Sequence, residues 1–261
     1  VGRQCRRLGV NLNFAPVADV NANPRNPVIN YRSFGENPDR VARKCALLAS
    51  GMQDAGVLVT LKHFPGHGNT AYDSHLTLPV IDRDYHALYP IDFKPFRFAI
   101  DRGIRGIMSA HISLPAIDSR KRPATLSKKI MTGILRDSLG FDGLIFSDGM
   151  NMKGITDHFK EGEAAVEALK AGVDVIEFVV HPDEVVREIT RAVERGEMEE
   201  SLIDEKCRRV LQTKEWLNPE GYRPIDIPNL AADLNRAEYT LTSRQLFEQS
   251  LTVLSNHNEW L

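Results

Sequence analysis

Short apolar, β-branched runs alternate along this chain with stretches of helical period, and no other feature restricts the fold as much. The runs cover 10–16, 57–64, 105–112, 143–148 and 174–180. Helical patterns cover 38–53, 93–102, 128–138, 163–171, 183–195 and 201–216. Gly56, Gly103 and Gly140 sit where left-handed helix stops belong, and Ser127 is placed to cap the helix that starts at Lys128. Strand, helix, strand in regular succession predicts parallel βα units. The predicted fold class is therefore α/β, a (β/α)8 TIM-type barrel. A doubly wound open sheet is the rival, weakened by the absence of a G-x-G-x-x-G fingerprint or a P-loop.

Size agrees with a barrel. The chain has 261 residues, and such a barrel needs about 250. A hydrophobic fraction of 42% and a charged fraction of 26% suit a globular protein with a substantial core. The net charge of -2, without a basic block, gives no footprint for nucleic acid. No apolar run approaches the roughly 20 residues of a membrane span. The three cysteines, Cys5, Cys45 and Cys207, are odd in number and widely spaced, which reads as buried small hydrophobes on helices.

Past Trp216 the character changes. Pro219, Pro224 and Pro228 mark 218–235 as a linker. After it, 238–248 is predicted helical and 250–254 strand-like. The expected organisation is a catalytic barrel over 1–217, the linker, and the beginning of a second α/β domain over 236–261. The chain opens without Met, runs almost at once into a strand pattern and stops just after another, so both ends are expected to continue in a longer protein.

In a parallel barrel the carboxyl ends of the strands share one rim, and catalytic groups gather there. The strand-end segments Asn13-Phe14-Ala15-Pro16, Lys62-His63-Phe64-Pro65, Ser109-Ala110-His111 and Ser147-Asp148-Gly149 fit that arrangement. The densest chemistry lies between Lys62 and His75, which holds three of the eight histidines. Gly66 and Gly68 permit a tight path there, and Pro65 ends the strand. In Asp73-Ser74-His75 the carboxylate and imidazole are two apart, so an extended backbone turns them the same way. A carboxylate so placed fixes the imidazole tautomer and raises its basicity, which suits a general acid/base near neutral pH. The competing reading of such a triplet is chance or a structural pair. Asp148, after an apolar strand and before Gly149, is either a catalytic carboxylate or the N-cap of the next helix. Arg32, Lys62 and His63 are donors for sugar hydroxyls, or ordinary surface ion-pairing groups. His63, His67, Asp73 and His75 also offer zinc-type ligands, although neither an H-E-x-x-H helix nor a cysteine pair accompanies them.

Together these segments resemble glycoside hydrolase family 3. The stretch from Lys62 to His75 is similar to the K-H-F-P-G-H-G-x-T-x-x-D-S-H motif of the family's bacterial β-N-acetylglucosaminidase branch. Asn13 to Val20, Arg32-Ser33-Phe34-Gly35, Phe146-Ser147-Asp148 with Met152-Lys153-Gly154, and the tail from Ser250 to Leu254 also match in order. The resemblance implies a retaining exo-glycosidase, a β-N-acetylhexosaminidase releasing terminal β-linked N-acetylglucosamine. Asp148 would be the nucleophile, His75 the acid/base, and Asp73 its orienting partner. Arg32, Lys62 and His63 would bind the sugar, with no cofactor and no metal. The implied partner is an N-acetylglucosamine oligosaccharide or muropeptide, in the cytoplasm or periplasm of a bacterium. Asn69 stands where the family commonly has an acidic residue, and Gly149 where Asp or Ala is usual. The family's first barrel strands, with a substrate-binding Asp, have no counterpart here. The alternatives are a family 3 β-glucosidase, an N-acetylglucosamine phosphorylase, a metal-dependent hydrolase and an inactive carbohydrate-binding module.

Overall fold

Successive side chains of a strand point to opposite faces, and in this chain the two sets enter two different cores. The computed structural model describes residues 1–74, 76–218, 220–221, 224–253 and 255. Among these, five strands form one sheet in sequential order: β1 (Leu12–Asn13), β2 (Leu58–Phe64), β3 (Gly106–Ser109), β4 (Leu144–Gly149) and β5 (Val175–Glu177). Every adjacent pair is parallel. Val59, Leu61, Ile107 and Ile145 enter the larger core beneath the helices. Leu58, Met108, Leu144 and Phe146 face the other way, into a smaller core with Phe14 and Val175. Burial on both faces explains why β2 reads as a nearly unbroken apolar run.

Helices α1 (Gly2–Arg7) and α2 (Pro38–Gln53) flank β1, and α3 (Tyr85–Leu88) and α4 (Lys94–Ile100) join β2 to β3. A π-helix, Lys129–Ser138, joins β3 to β4, followed by α5 (Lys153–Thr156) and α6 (Glu161–Ala171) before β5. Then come α7 (Pro182–Glu194), α8 (Glu200–Leu217), α9 (Leu230–Leu234) and α10 (Ala237–Ser250). The sheet curls as a half-barrel of the expected TIM type. Among the described residues it does not close, since β1 pairs only with β2 and β5 only with β4. Leu217, Val210 and Trp216 of α8 pack into the smaller core.

Local chemistry accounts for the best-defined helix. The Asn37 side chain accepts the Asp39 and Arg40 N–H groups at the start of α2, and Pro38 occupies the first turn, where its missing N–H is not needed. Val41, Cys45, Ala49 and Met52 then make the buried stripe, and Gly56 follows at φ +77°. At the amino-terminal end of the strands, buried Asp174 ties β4 to the π-helix and to α8. Its Oδ2 accepts the Ile145 N–H at 2.8 Å and Arg136 at 2.6 Å, while Arg209 reaches Oδ1 at 3.1 Å.

Several local expectations need correction. The run 10–16 pairs as strand only at Leu12–Asn13; the chain rejoins β2 at Val17, where the Pro16 carbonyl accepts the Lys62 N–H at 3.2 Å and the Ala18 N–H donates to the Lys62 carbonyl at 2.7 Å. Ser127 caps no helix, since its hydroxyl donates to Asp118 at 2.7 Å. Helix 128–138 is wound as a π-helix. Its buried Ile130, Met131, Ile134 and Leu135 make an apolar stripe that either winding satisfies, so spacing alone does not separate the two. Residues 251–253 form no strand, and Leu254 lies outside the described residues. Of the cysteines only Cys45 is buried; Cys5 is half-buried and Cys207 exposed.

Candidate functional site

The alternation that turns Leu144 and Phe146 to the concave face carries Asp148 to the same side at the carboxyl end of β4. Leu58 and Thr60 do the same for Lys62 in β2. Asp148 Oδ1 accepts the N–H of Gly149 at 2.8 Å. The N-cap of the next helix, α5, is Met152, so Asp148 caps no helix. Burial raises the Asp148 pKa, but His63, His111, the Gly149 N–H and Lys62 more than offset it, and the carboxyl titrates below its ordinary value. At neutral pH it is an anion held among donors.

The loop after β2 is shaped from below by Asp19, a carboxylate with 0% exposure. Both its oxygens lie 3.2 Å from the His63 N–H, Oδ2 is 2.8 Å from His63 Nδ1, and Oδ1 accepts the His67 N–H at 2.6 Å. Burial raises the Asp19 pKa, yet the His63 and His67 contacts outweigh it and keep the group ionised below the usual range. An ionised Asp19 fixes the His63 proton on Nδ1 and turns Nε2 away from itself. The Lys62 amine is held below its ordinary pKa by burial and by Arg32, against the pull of Asp148 and Asp19.

Further along the loop, buried His67 bridges the Thr70 hydroxyl at 2.7 Å and the Ser74 hydroxyl at 2.8 Å. Burial lowers its pKa, so the ring is a neutral brace. Gly68 lies against the Val20 carbonyl so closely that a Cβ there would stand 1.8 Å from the oxygen. Two carbonyls of the loop's far end, Ser74 and Thr77, pack on Gly154 of α5, at 3.3 and 3.4 Å from where its Cβ would be. Those contacts join the end of the His-rich loop to the segment that follows Asp148.

His111, past the end of β3, is fully buried. Its Nε2 lies 3.0 Å from the Gly149 carbonyl and its Nδ1 2.9 Å from the Thr125 hydroxyl. Burial lowers its pKa, so a neutral ring donates from Nε2 to Gly149 and accepts at Nδ1.

Of the residues singled out in the sequence, Lys62, His63 and Asp148 gather at one rim. Arg32 lies on an exposed 3-10 turn, Asn30–Arg32, near enough to act on the Lys62 charge. Asp73 is half-buried, and its carbonyl accepts the Leu76 and Thr77 N–H groups. His75 lies outside the described residues. Asp19 and His111 received no individual role from the sequence, and His67 was weighed there only as a zinc-type ligand, not as the brace between Thr70 and Ser74. A His directly after a strand end, as in Ser109-Ala110-His111, is a signal that finds His111. Asp19 carries none, because its partners are 44 and 48 residues away. Among the described residues no three His, Cys, Asp or Glu side chains group as metal ligands.

Residues 1–213 match the glycosyl hydrolase family 3 N-terminal domain. Beta-hexosaminidase A of Pseudoalteromonas piscicida is 37% identical over 276 residues, which span 98% of this chain and 46% of that protein. A family 3 β-N-acetylglucosaminidase from Paenibacillus sp. str. FPU-7 superposes with a TM-score of 0.93 at 38% identity, covering 99% of this chain and 50% of that one. The beta-glucoside phosphorylase BglX gives a TM-score of 0.92 at 28% identity, covering 100% of this chain and 49% of that one. The chain thus spans about half the length of these relatives. Its half-barrel, the rim built around Asp148 and the matched span together establish that the chain belongs to glycosyl hydrolase family 3.

Proposed function

We propose that this protein is a retaining β-N-acetylglucosaminidase acting on terminal β-linked N-acetylglucosamine of chitin-derived oligosaccharides or muropeptides. The observation that carries the reading is Asp148, an ionised carboxylate at a barrel rim beside Lys62, His63 and His111. The names of the Pseudoalteromonas and Paenibacillus relatives supply the amino-sugar class.

In this mechanism Asp148 Oδ2, the oxygen not bonded to the Gly149 N–H, attacks the anomeric carbon. The glycosidic C–O bond breaks as His75 gives its proton to the leaving oxygen, with Asp73 orienting the ring. Water then attacks the same carbon, His75 takes a proton from it, and the Asp148 carboxylate is released. That is double displacement, with an imidazole where most retaining enzymes carry a second carboxylic acid. Lys62, His63 and Arg32 bind the sugar hydroxyls and the acetamide.

The test compares an aryl β-N-acetylglucosaminide with the aryl β-glucoside, using the intact protein in a chelator. The amino sugar is expected to react faster, and Asp148→Asn to lower kcat by roughly a thousandfold or more. Equal rates on the two glycosides, or an active Asp148→Asn protein, sink the proposal. Likeness to a phosphorylase favours a second reading, transfer to phosphate, because an imidazole repels an anionic acceptor less than a carboxylate does. Added phosphate then yields N-acetylglucosamine 1-phosphate.

A further inference from the structure

Phe178 directly follows β5, and its environment differs from that of every core aromatic. Its backbone lies at φ +53°, a region that bulky side chains rarely enter. Its side chain is 69% exposed and stacks on no other ring among the described residues. The backbone on either side is nevertheless firmly held. The Glu177 N–H donates to the Ser147 hydroxyl at 2.8 Å, and the Glu177 carbonyl accepts the Met150 N–H at 3.0 Å. Beyond Phe178, the Glu161 carboxylate accepts the N–H groups of Val180 and His181. An apolar ring held out to solvent on pinned backbone in an unfavourable conformation gains nothing for the core. Such outliers persist where function uses them.

The position indicates the use. Glu177 is in register with Gly149, and a Cβ at Gly149 would stand 3.6 Å from the Phe178 Cβ. The aromatic side chain therefore leaves the backbone beside the residue that follows Asp148, on the rim of the candidate site. Gly149 carries no side chain there, and the Asn151 amide oxygen, 2.9 Å from where its Cβ would be, is the polar group nearest that position.

We infer that Phe178 is the platform for the leaving group, stacking against the apolar face of the pyranose ring released in the reaction and so selecting oligosaccharides over simple alkyl glycosides. The inference rests on the proposed glycosidase reading of the Asp148 site. A pyranose presents a face of C–H groups, and an aromatic ring offers a flat, polarisable surface of matching size. The contact exists in the bound substrate as well as in the transition state, so it acts mainly on KM.

The experiment measures the intact protein on two substrates with alkoxide leaving groups, N,N′-diacetylchitobiose and methyl β-N-acetylglucosaminide. Phe178→Ala is expected to lower kcat/KM on chitobiose more than on the methyl glycoside, by roughly three- to tenfold, with the difference in KM. Phe178→Tyr keeps the ring and is expected to restore the parent ratio. Phe178→Gly accepts the positive φ without strain, so it controls for folding and should show the same loss of preference as Phe178→Ala. An active parent whose substrate ratio is unchanged in Phe178→Ala and Phe178→Gly overturns the platform and leaves the glycosidase reading intact. A parent inactive on both substrates, and on the aryl β-N-acetylglucosaminide, overturns the glycosidase reading and this inference with it.

Discussion

Replacing Asp19 by alanine removes the acceptor for three buried donors: the His63 N–H, the His63 Nδ1–H and the His67 N–H. A buried donor left unpaired costs about 1–3 kcal/mol. Three of them cost about 3–9 kcal/mol, and relief of the buried charge returns part of that, for a net loss of about 3–5 kcal/mol. Urea unfolding followed by circular dichroism at pH 7 reads the difference. Asp19→Asn is the sharper variant, because it keeps the volume and changes only the donors. Its amide NH2 faces His63 Nδ1 and drives the proton of that ring to Nε2, a change visible in the histidine 15N shifts. The pH dependence has a definite sign. Asp19 titrates below its ordinary value in the folded protein, so its stabilisation is fully present above the unfolded carboxylate range, about 3.9, and is lost as pH falls through the lowered folded value. The gap between parent and Asp19→Asn should therefore narrow in acid. A loss under about 1 kcal/mol for Asp19→Ala, or a gap that stays constant into acid, refutes the assignment of Asp19 as the loop's anchor.

Two further outcomes concern the same region. Gly68→Ala places a Cβ 1.8 Å from the Val20 carbonyl, backbone against backbone, so the loops after β1 and β2 must separate. The variant should lose roughly 3 kcal/mol or more and most activity, and near-parental stability would contradict the close approach. Asp92 is 1% exposed, and burial pushes its pKa up to about 6 although Arg83 pairs with it at 2.9 Å and pulls the other way. A raised folded pKa means the folded state holds the proton more tightly, so stability declines as pH rises from about 4 to about 6, by roughly 2–3 kcal/mol. Asp92→Asn should abolish that decline; an identical pH profile in parent and variant would show that Asp92 is not its source.

Periodicity and end signals made the scaffold legible. The helix at 38–53 needed only Asn37, Pro38 and one apolar stripe, all adjacent in sequence. The strands were legible as short apolar runs, but burial on both faces leaves no two-residue alternation to show which side each residue takes. What escaped was set by distant partners. Ser127 is a plausible cap until Asp118 is seen to take its hydroxyl. Cys207 reads like Cys45 until one helix face is found to be solvent. Lys62, His63 and Asp148 were legible at the rim because strand ends converge there in any parallel barrel. Asp19 and His111, which brace them, act through contacts that cross between successive βα units, and no spacing rule encodes those.

The carboxylate beneath the His-rich loop has a consequence for transplanting it. A synthetic peptide of residues 62–75 carries the loop's histidines and glycines yet lacks both Asp19 and the Val20 carbonyl on which Gly68 rests. Grafted into an unrelated barrel, the motif would move the side chains and leave their arrangement behind. An engineer seeking that geometry must carry over the turn after β1 as well.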